Sequence, residues 1–114
     1  MTVLSTAPRA ADTGEHNMIV CKIHTHDNDR ILAACDQEIL GQEFRGDGVK
    51  IKVSEIFYGG EPITEEAFVE RTKSVTILNL VGNRTVDIAV KEGIISEKNV
   101  IVIGGVKHAQ AVIM

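Results

Sequence analysis

The chain has 114 residues, 44% of them hydrophobic and 25% charged, and a net charge of −4. That length suits one domain, which buries roughly two-thirds of its extended-chain surface. The acidic balance is the reverse of what a phosphate-backbone binder normally carries. Only Phe44, Phe57, Tyr58 and Phe68 are aromatic, a thin basis for stacking single-stranded bases, so the core must be Ile, Val, Leu and Ala. No apolar run approaches the ~20 residues that span a bilayer. The first seventeen residues lack the apolar centre of a secretory leader, so the expected location is the cytoplasm. Two cysteines, Cys21 and Cys35, do not make a disulfide framework.

Residues 1–16 carry no apolar period and read as a disordered tail; a single α+β domain is expected over residues 17–114. Residues 18–25 are β-branched and predict a strand, residues 26–30 a turn, and residues 31–36 a second strand. An antiparallel register that pairs Cys21 with Cys35 gathers Ile19, Cys21, Ile23, Ile31, Ala33 and Cys35 on one face. Asp36 is placed to cap a short turn over residues 37–40, which Gly41 ends. Gly46-Asp47-Gly48 marks a turn before a strand at residues 49–53, where Val49, Ile51 and Val53 alternate with lysines. Residues 56–58 read as a strand end before Gly59-Gly60.

Thr64 caps a helix reaching about residue 73, with Glu65 and Glu66 in its first turn. Residues 74–81, SVTILNLV, have the composition of a strand but lie between two helical segments; the reading leans to helix. Asn83 caps a helix over residues 84–92, with Asp87 and Lys91 as an i,i+4 pair and Gly93 just past its end. The stretch NVIVIGGVKHAQAVIM closes the chain and is expected to be the strand the rest packs against. Strands, then helices, then a strand predict an α+β fold: a mostly antiparallel sheet covered on one face by two or three helices.

Five constellations could carry chemistry. Gly104-Gly105 with His108 and Gln110 could present backbone N–H groups to an anion beside an acid–base imidazole; the plainer alternative is a hairpin turn. Cys35 next to Asp36 could be a nucleophile activated by His108, or a small buried hydrophobe. His24 and His26 point the same way on a strand and could share a metal, but a second ligand pair is missing, so no metal and no cofactor is expected. Tyr58 with Gly59-Gly60 could line a ligand pocket, or simply rim the core. The segment LNLVGNRTV offers one glycine and one arginine where a helix-hairpin-helix joint would hold a phosphate.

The motifs ACDQEILGQEF, FYGG, NLVGNRTV and VIVIGGVKHAQAV, in that order and spacing, resemble the archaeal family catalogued as domain of unknown function 424. Family members often have proline before the histidine of the last motif, where Lys107 stands here. The resemblance implies an archaeal cytosolic single-domain protein and carries over no catalytic residue. Two functions of different class follow. The first is a binding module with an RNA or protein partner, its RNA contacts drawn from Arg45, Lys50, Lys52, Arg71, Lys73 and Arg84. The second is a small enzyme using His108 with Cys35, Asp36 or Tyr58. A third is a structural subunit of a larger complex.

Overall fold

In a computed structural model that describes residues 18–113, the first two β-branched runs pair as an antiparallel hairpin of β1 (Ile19–His26) and β2 (Asp29–Asp36). The tail expected over residues 1–16 lies outside the described residues. The chain continues through a 3-10 turn (Gln37–Ile39), β3 (Glu43–Gly46), β4 (Val49–Lys52), α1 (Glu55–Tyr58), β5 (Glu61–Ile63) and α2 (Glu65–Thr72). Then follow β6 (Ile77–Val81), α3 (Asn83–Lys91), β7 (Val100–Ile103) and β8 (Val106–Val112). Six strands form one sheet in the order β5-β1-β2-β6-β8-β7, antiparallel except for β2 beside β6; β3 and β4 form a separate ribbon. The α+β class and the mostly antiparallel sheet are as the sequence predicts.

The two layers have different makings. On one face α2 and α3 pack Phe68, Val86 and Ala89 over Ile19, Cys21, Leu32, Ala34, Leu78 and Leu80. On the other, the β3–β4 ribbon and α1 bring Phe44, Ile51, Phe57 and Tyr58 over Val20, Ala33, Cys35 and Val81. Strand β2 lies between both layers, and its small residues Ala33, Ala34 and Cys35 are all fully buried. Each large buried side chain contributes on the order of 1.5–3 kcal/mol.

That double coverage corrects several expectations. The register pairs Cys21 with Ala34 and Ile23 with Leu32, one residue away from the predicted one. Cys21 and Cys35 therefore sit on opposite faces, in different cores. The predicted register assumed one buried face; with both faces buried, hydrophobic alternation no longer selects it. The turn decides instead: Asp27 and Asn28 form a two-residue loop, with Asp27 at φ 54°. Residues 77–81 are a strand, not a helix, because β6 pairs with β2 on one side and β8 on the other, and its β-branched composition outweighs its setting between two helices. That also removes the helix-hairpin-helix resemblance. Residues 55–58 form a helical turn capped by the Ser54 hydroxyl, which accepts from Phe57 N–H at 3.2 Å. The C-terminal stretch is two strands at one side of the sheet; β2 and β6 are the central pair.

Helix α3 is held by a residue far away in sequence. Its N-cap, Gly82, has no side chain to offer. The buried carboxylate of Asp36 takes that role: Oδ2 accepts from Arg84 N–H at 3.1 Å, and Oδ1 accepts from Thr85 N–H at 2.8 Å and from the Thr85 hydroxyl at 2.7 Å. Asp36 thus caps α3 rather than the turn that follows it, where it makes no side-chain cap bond. The Arg84 guanidinium closes on Glu38 with two N–H donors, at 3.1 and 2.8 Å. Asn83, the predicted cap, instead accepts from Lys107 N–H at 2.9 Å and donates to the Gly105 carbonyl at 3.3 Å. Gly82 is required twice over: its φ is 115°, and a Cβ there would lie 2.5 Å from the Asp36 carboxyl carbon.

Replacing Asp36 with Ala leaves two buried N–H groups and a hydroxyl without their acceptor, and is expected to cost about 3 kcal/mol in urea unfolding. Gly82→Ala should also destabilise. In the double variant the loss should be smaller than the sum of the two, because the clash with the carboxylate is gone. Strict additivity would show that the two positions do not meet.

Candidate functional site

The ribbon and α1 cover only part of their face of the sheet. The strand register sets what is left in rows. Lys22, Ala33, Asn79 and Gln110 form one row across β1, β2, β6 and β8, and Val81, His108 and Ile101 another across β6, β8 and β7. A depression of about 460 Å³ is lined by Ile31, Phe57, Ile77, Asn79, Gln110 and Val112, among others. A second, of about 390 Å³, is lined by Lys98, Ile101, His108 and Gln110. Both include Asn99 and Gln110, so they make one continuous surface. Another hollow, about 510 Å³, is elsewhere, between α3 and β7. It contains the ion pair of Lys107 with Asp87, at 2.6 Å, which replaces the expected pairing of Asp87 with Lys91.

His108 is half-buried at the edge of this surface. Its Nδ1–H donates to the Leu80 carbonyl at 2.8 Å. A carbonyl can only accept, so that bond puts the neutral ring's proton on Nδ1 and leaves Nε2 as an acceptor. Burial pushes the imidazole pKa below its ordinary value, and the hydrogen bond to Leu80 partly offsets it. Asn79 is buttressed from above, its Oδ1 accepting the Tyr58 hydroxyl at 2.5 Å. Side-chain amides at Asn79, Asn99 and Gln110 each offer a donor and an acceptor, and Ile31, Ile77, Ile101 and Val112 surround them.

The other predicted site residues are not brought to this place as a catalytic set. Cys35 is fully buried, and its thiol is pushed up to about 12 by burial, with the Asp36 and Glu38 carboxylates adding to it. Tyr58 is buried and likewise pushed up to about 12, chiefly by burial. Asp36 is committed to α3. Among the described residues no hydrogen bond joins His108 to Cys35, Asp36 or Tyr58. Gly59 and Gly60 lie against backbone, with the Cys21 carbonyl occupying the place a Gly60 Cβ would need. Gly104 and Gly105 make the two-residue turn between β7 and β8, both at positive φ, and Gly104 packs on the Arg45 carbonyl. None of these four glycines lines the depressions.

His24 stacks on Phe57, with ring centroids 4.7 Å apart, and its Nε2–H donates to the Phe57 carbonyl at 2.8 Å. His26 is exposed, 3.5 Å from Asp27. Among the described residues no group of three or more His, Cys, Asp and Glu could hold a metal. Of the six cations named as RNA contacts, Arg45 and Lys50 pair with Glu43, Arg71 with Glu61, Lys73 with Glu70 and Arg84 with Glu38. Sequence reasoning found His108 and Gln110 but missed Asn79 and Asn99. The signal for Asn79 was a lone amide inside the apolar run TILNLV, where a polar side chain needs a partner.

The fold and this surface define a small α+β protein with a partly open sheet face. The chain belongs to the family described as protein of unknown function (DUF424), whose model matches residues 23–114. A solved structure similar to it is the crystal structure of an uncharacterized conserved protein from Methanopyrus kandleri, 26% identical, with a TM-score of 0.73. That likeness covers 85% of this chain and 92% of the other. No curated protein matches. No helix among the described residues is long and apolar enough to cross a membrane.

The depressed His108 pKa sets the sign of a pH effect. Between the folded value and the ordinary 6.5 the unfolded chain binds more protons, so stability rises with pH. The stabilisation from a neutral His108 is present above about 6.5 and is lost as pH falls toward the folded pKa. Melting temperatures taken from about pH 7.5 to pH 5 should therefore fall less in His108→Gln than in the parent protein. An equal fall would show that His108 is not held neutral by its surroundings.

Proposed function

We propose that the protein is a cytosolic binding module that takes a protein partner on the open part of its sheet. The observation that carries this is the row of side-chain amides, Asn79, Gln110 and Asn99, set among Ile31, Ile77, Ile101 and Val112. A peptide backbone presents alternating N–H and C=O groups, and amide side chains can answer both. The apolar residues around them supply the area that such contacts need. His108 adds one acceptor through Nε2, as a recognition group rather than an acid or base.

An RNA partner has less support, since five of the six proposed phosphate contacts already have carboxylate partners and the net charge is −4. An enzyme has less support because His108 has no thiol, carboxylate or phenol bonded to it and the Cys35 thiol is buried. Two free buried thiols, Cys21 and Cys35, fit a reducing cytosol.

The experiment is affinity capture from an archaeal cell extract with both RNA and protein identified, using the parent protein and a Gln110→Lys/Val112→Asp variant. Both positions are exposed, so the melting temperature should stay within about 2 °C, as surface changes usually do. A protein should be retained by the parent, survive ribonuclease treatment and fall at least tenfold with the variant. Recovery of RNA as the retained species, or a partner indifferent to the variant, would refute this reading.

A further inference from the structure

Strand β7 ends the sheet on the side opposite β5, and the two edges are unlike. β5 has three residues and places Pro62 in its middle, which removes a donor and blunts the edge. β7 reads Val100-Ile101-Val102-Ile103, with no charge, proline, glycine or bulge. Ile101 and Val102 are 52% and 59% exposed. They point to opposite faces, because neighbours along a strand alternate. Among the described residues no strand pairs with its outer side. The β3–β4 ribbon approaches this strand where Gly46 meets Ile103 and Gly104, but the strand itself carries no guarding residue, and such an apolar edge is a template for another strand.

The hairpin fixes which backbone groups are on offer. Ile103 and Val106 flank the two-residue turn and face each other in the register, so in such a hairpin they exchange hydrogen bonds, as do Ile101 and His108 two residues on. The N–H and C=O groups of Val102 and the C=O of Val100 therefore point away from the sheet, while the Val100 N–H is donated to the Glu97 carbonyl. A second copy of the same strand, brought up antiparallel, matches them in one register. Val100 meets Val102 of the second copy, Val102 meets Val100 of the second copy, and Ile101 meets Ile101 of the second copy across a two-fold axis. Two backbone hydrogen bonds form, from each Val102 N–H to the Val100 carbonyl of the other copy, and apolar side chains meet on both faces. Like charges are not brought opposite each other anywhere along the four residues.

We propose that β7 pairs with β7 of a second copy of this chain, joining the two sheets into one continuous twelve-stranded sheet. The consequence reaches the binding surface. His108 is the cross-strand neighbour of Ile101, so the two His108 rings flank the axis with the two Ile101 side chains between them. The two open faces become one. A four-residue edge buries less than the roughly 1,200 Å² at the low end of standard interfaces, so the dimer is weak and depends on concentration. This pairing does not rest on the identity of the partner: a monomer could still bind a peptide, and a dimer could bind nothing.

Sedimentation velocity on the full chain from about 10 µM to about 1 mM should show a reversible monomer–dimer equilibrium. Val102→Pro removes an outward N–H and should weaken dimerisation at least tenfold while the far-ultraviolet dichroism stays unchanged. Under mild oxidation Ile101→Cys should cross-link, because residues facing each other across a two-fold axis have Cβ atoms about 4.5–5.5 Å apart. Lys98→Cys, which the register carries away from its own mate, should not. The parent protein remaining monomeric at about 1 mM would overturn the proposal without needing any variant. A dimer in which Lys98→Cys cross-links and Ile101→Cys does not would overturn the register. An Ile101→Cys chain joined only to a different protein would replace the second copy with a foreign strand.

Discussion

The Asp36 carboxylate, seated under the first turn of α3, is the constraint on which the rest of this structure depends. It ends β2, lies beside β6 through Gly82, and fixes the helix that covers the core. A buried carboxylate tolerates such a site only when its oxygens are hydrogen-bonded, and here two N–H groups and a hydroxyl meet that need. The positive end of the helix dipole adds to it. Two neighbours of the cap extend the same brace. Arg84 reaches back to Glu38 on the far side of Asp36, and Asn83 reaches forward to Gly105 and Lys107 on the terminal hairpin. One short segment, Gly82 to Thr85, thereby ties the end of β2 and the turn after it to the terminal hairpin.

The motifs that carry the family resemblance are explained largely by that brace. Asp36 and Glu38 belong to the first, Asn79 and Gly82 to Thr85 to the third, and Gly105 and Lys107 to the fourth. Tyr58, from the second, supports Asn79. Polar residues at fixed spacing in an apolar sequence invite a catalytic reading, yet the Cys35 thiol and the Tyr58 hydroxyl are buried and pushed up to about 12, and the Asp36 oxygens are engaged by the first turn of α3. His108 and Gln110 are different: they belong to the same motifs yet have atoms left over.

Much of the fold was legible. The hairpin, the capped helix at Thr64, the glycine past α3 and the turn at Gly104-Gly105 each rest on local chemistry that needs no tertiary information. What was not legible was long-range. The cap of α3 comes from a residue 48 positions away, and no spacing rule finds it. The register of β1 on β2 depends on the ribbon layer that buries the second face, which sequence alternation cannot foresee. Residues 77–81 were misread because their strand state rests on pairing with β2 and β8, which lie far away in sequence. Of the site, His108 and Gln110 were legible as polar residues in a strand. Asn79 joins them only through strand pairing and Asn99 only through the turn that precedes β7, so the group of amides exists in the fold and not in the sequence.

The account makes one face of the sheet structural, packed under α2 and α3, and leaves the other in part for recognition. A photo-cross-linking side chain placed at position 110, and separately at Glu66 on the exposed side of α2, tests this division directly in whole-cell extract. The account predicts a discrete protein adduct from position 110 and none from position 66. An adduct from position 66 with none from position 110 would contradict it.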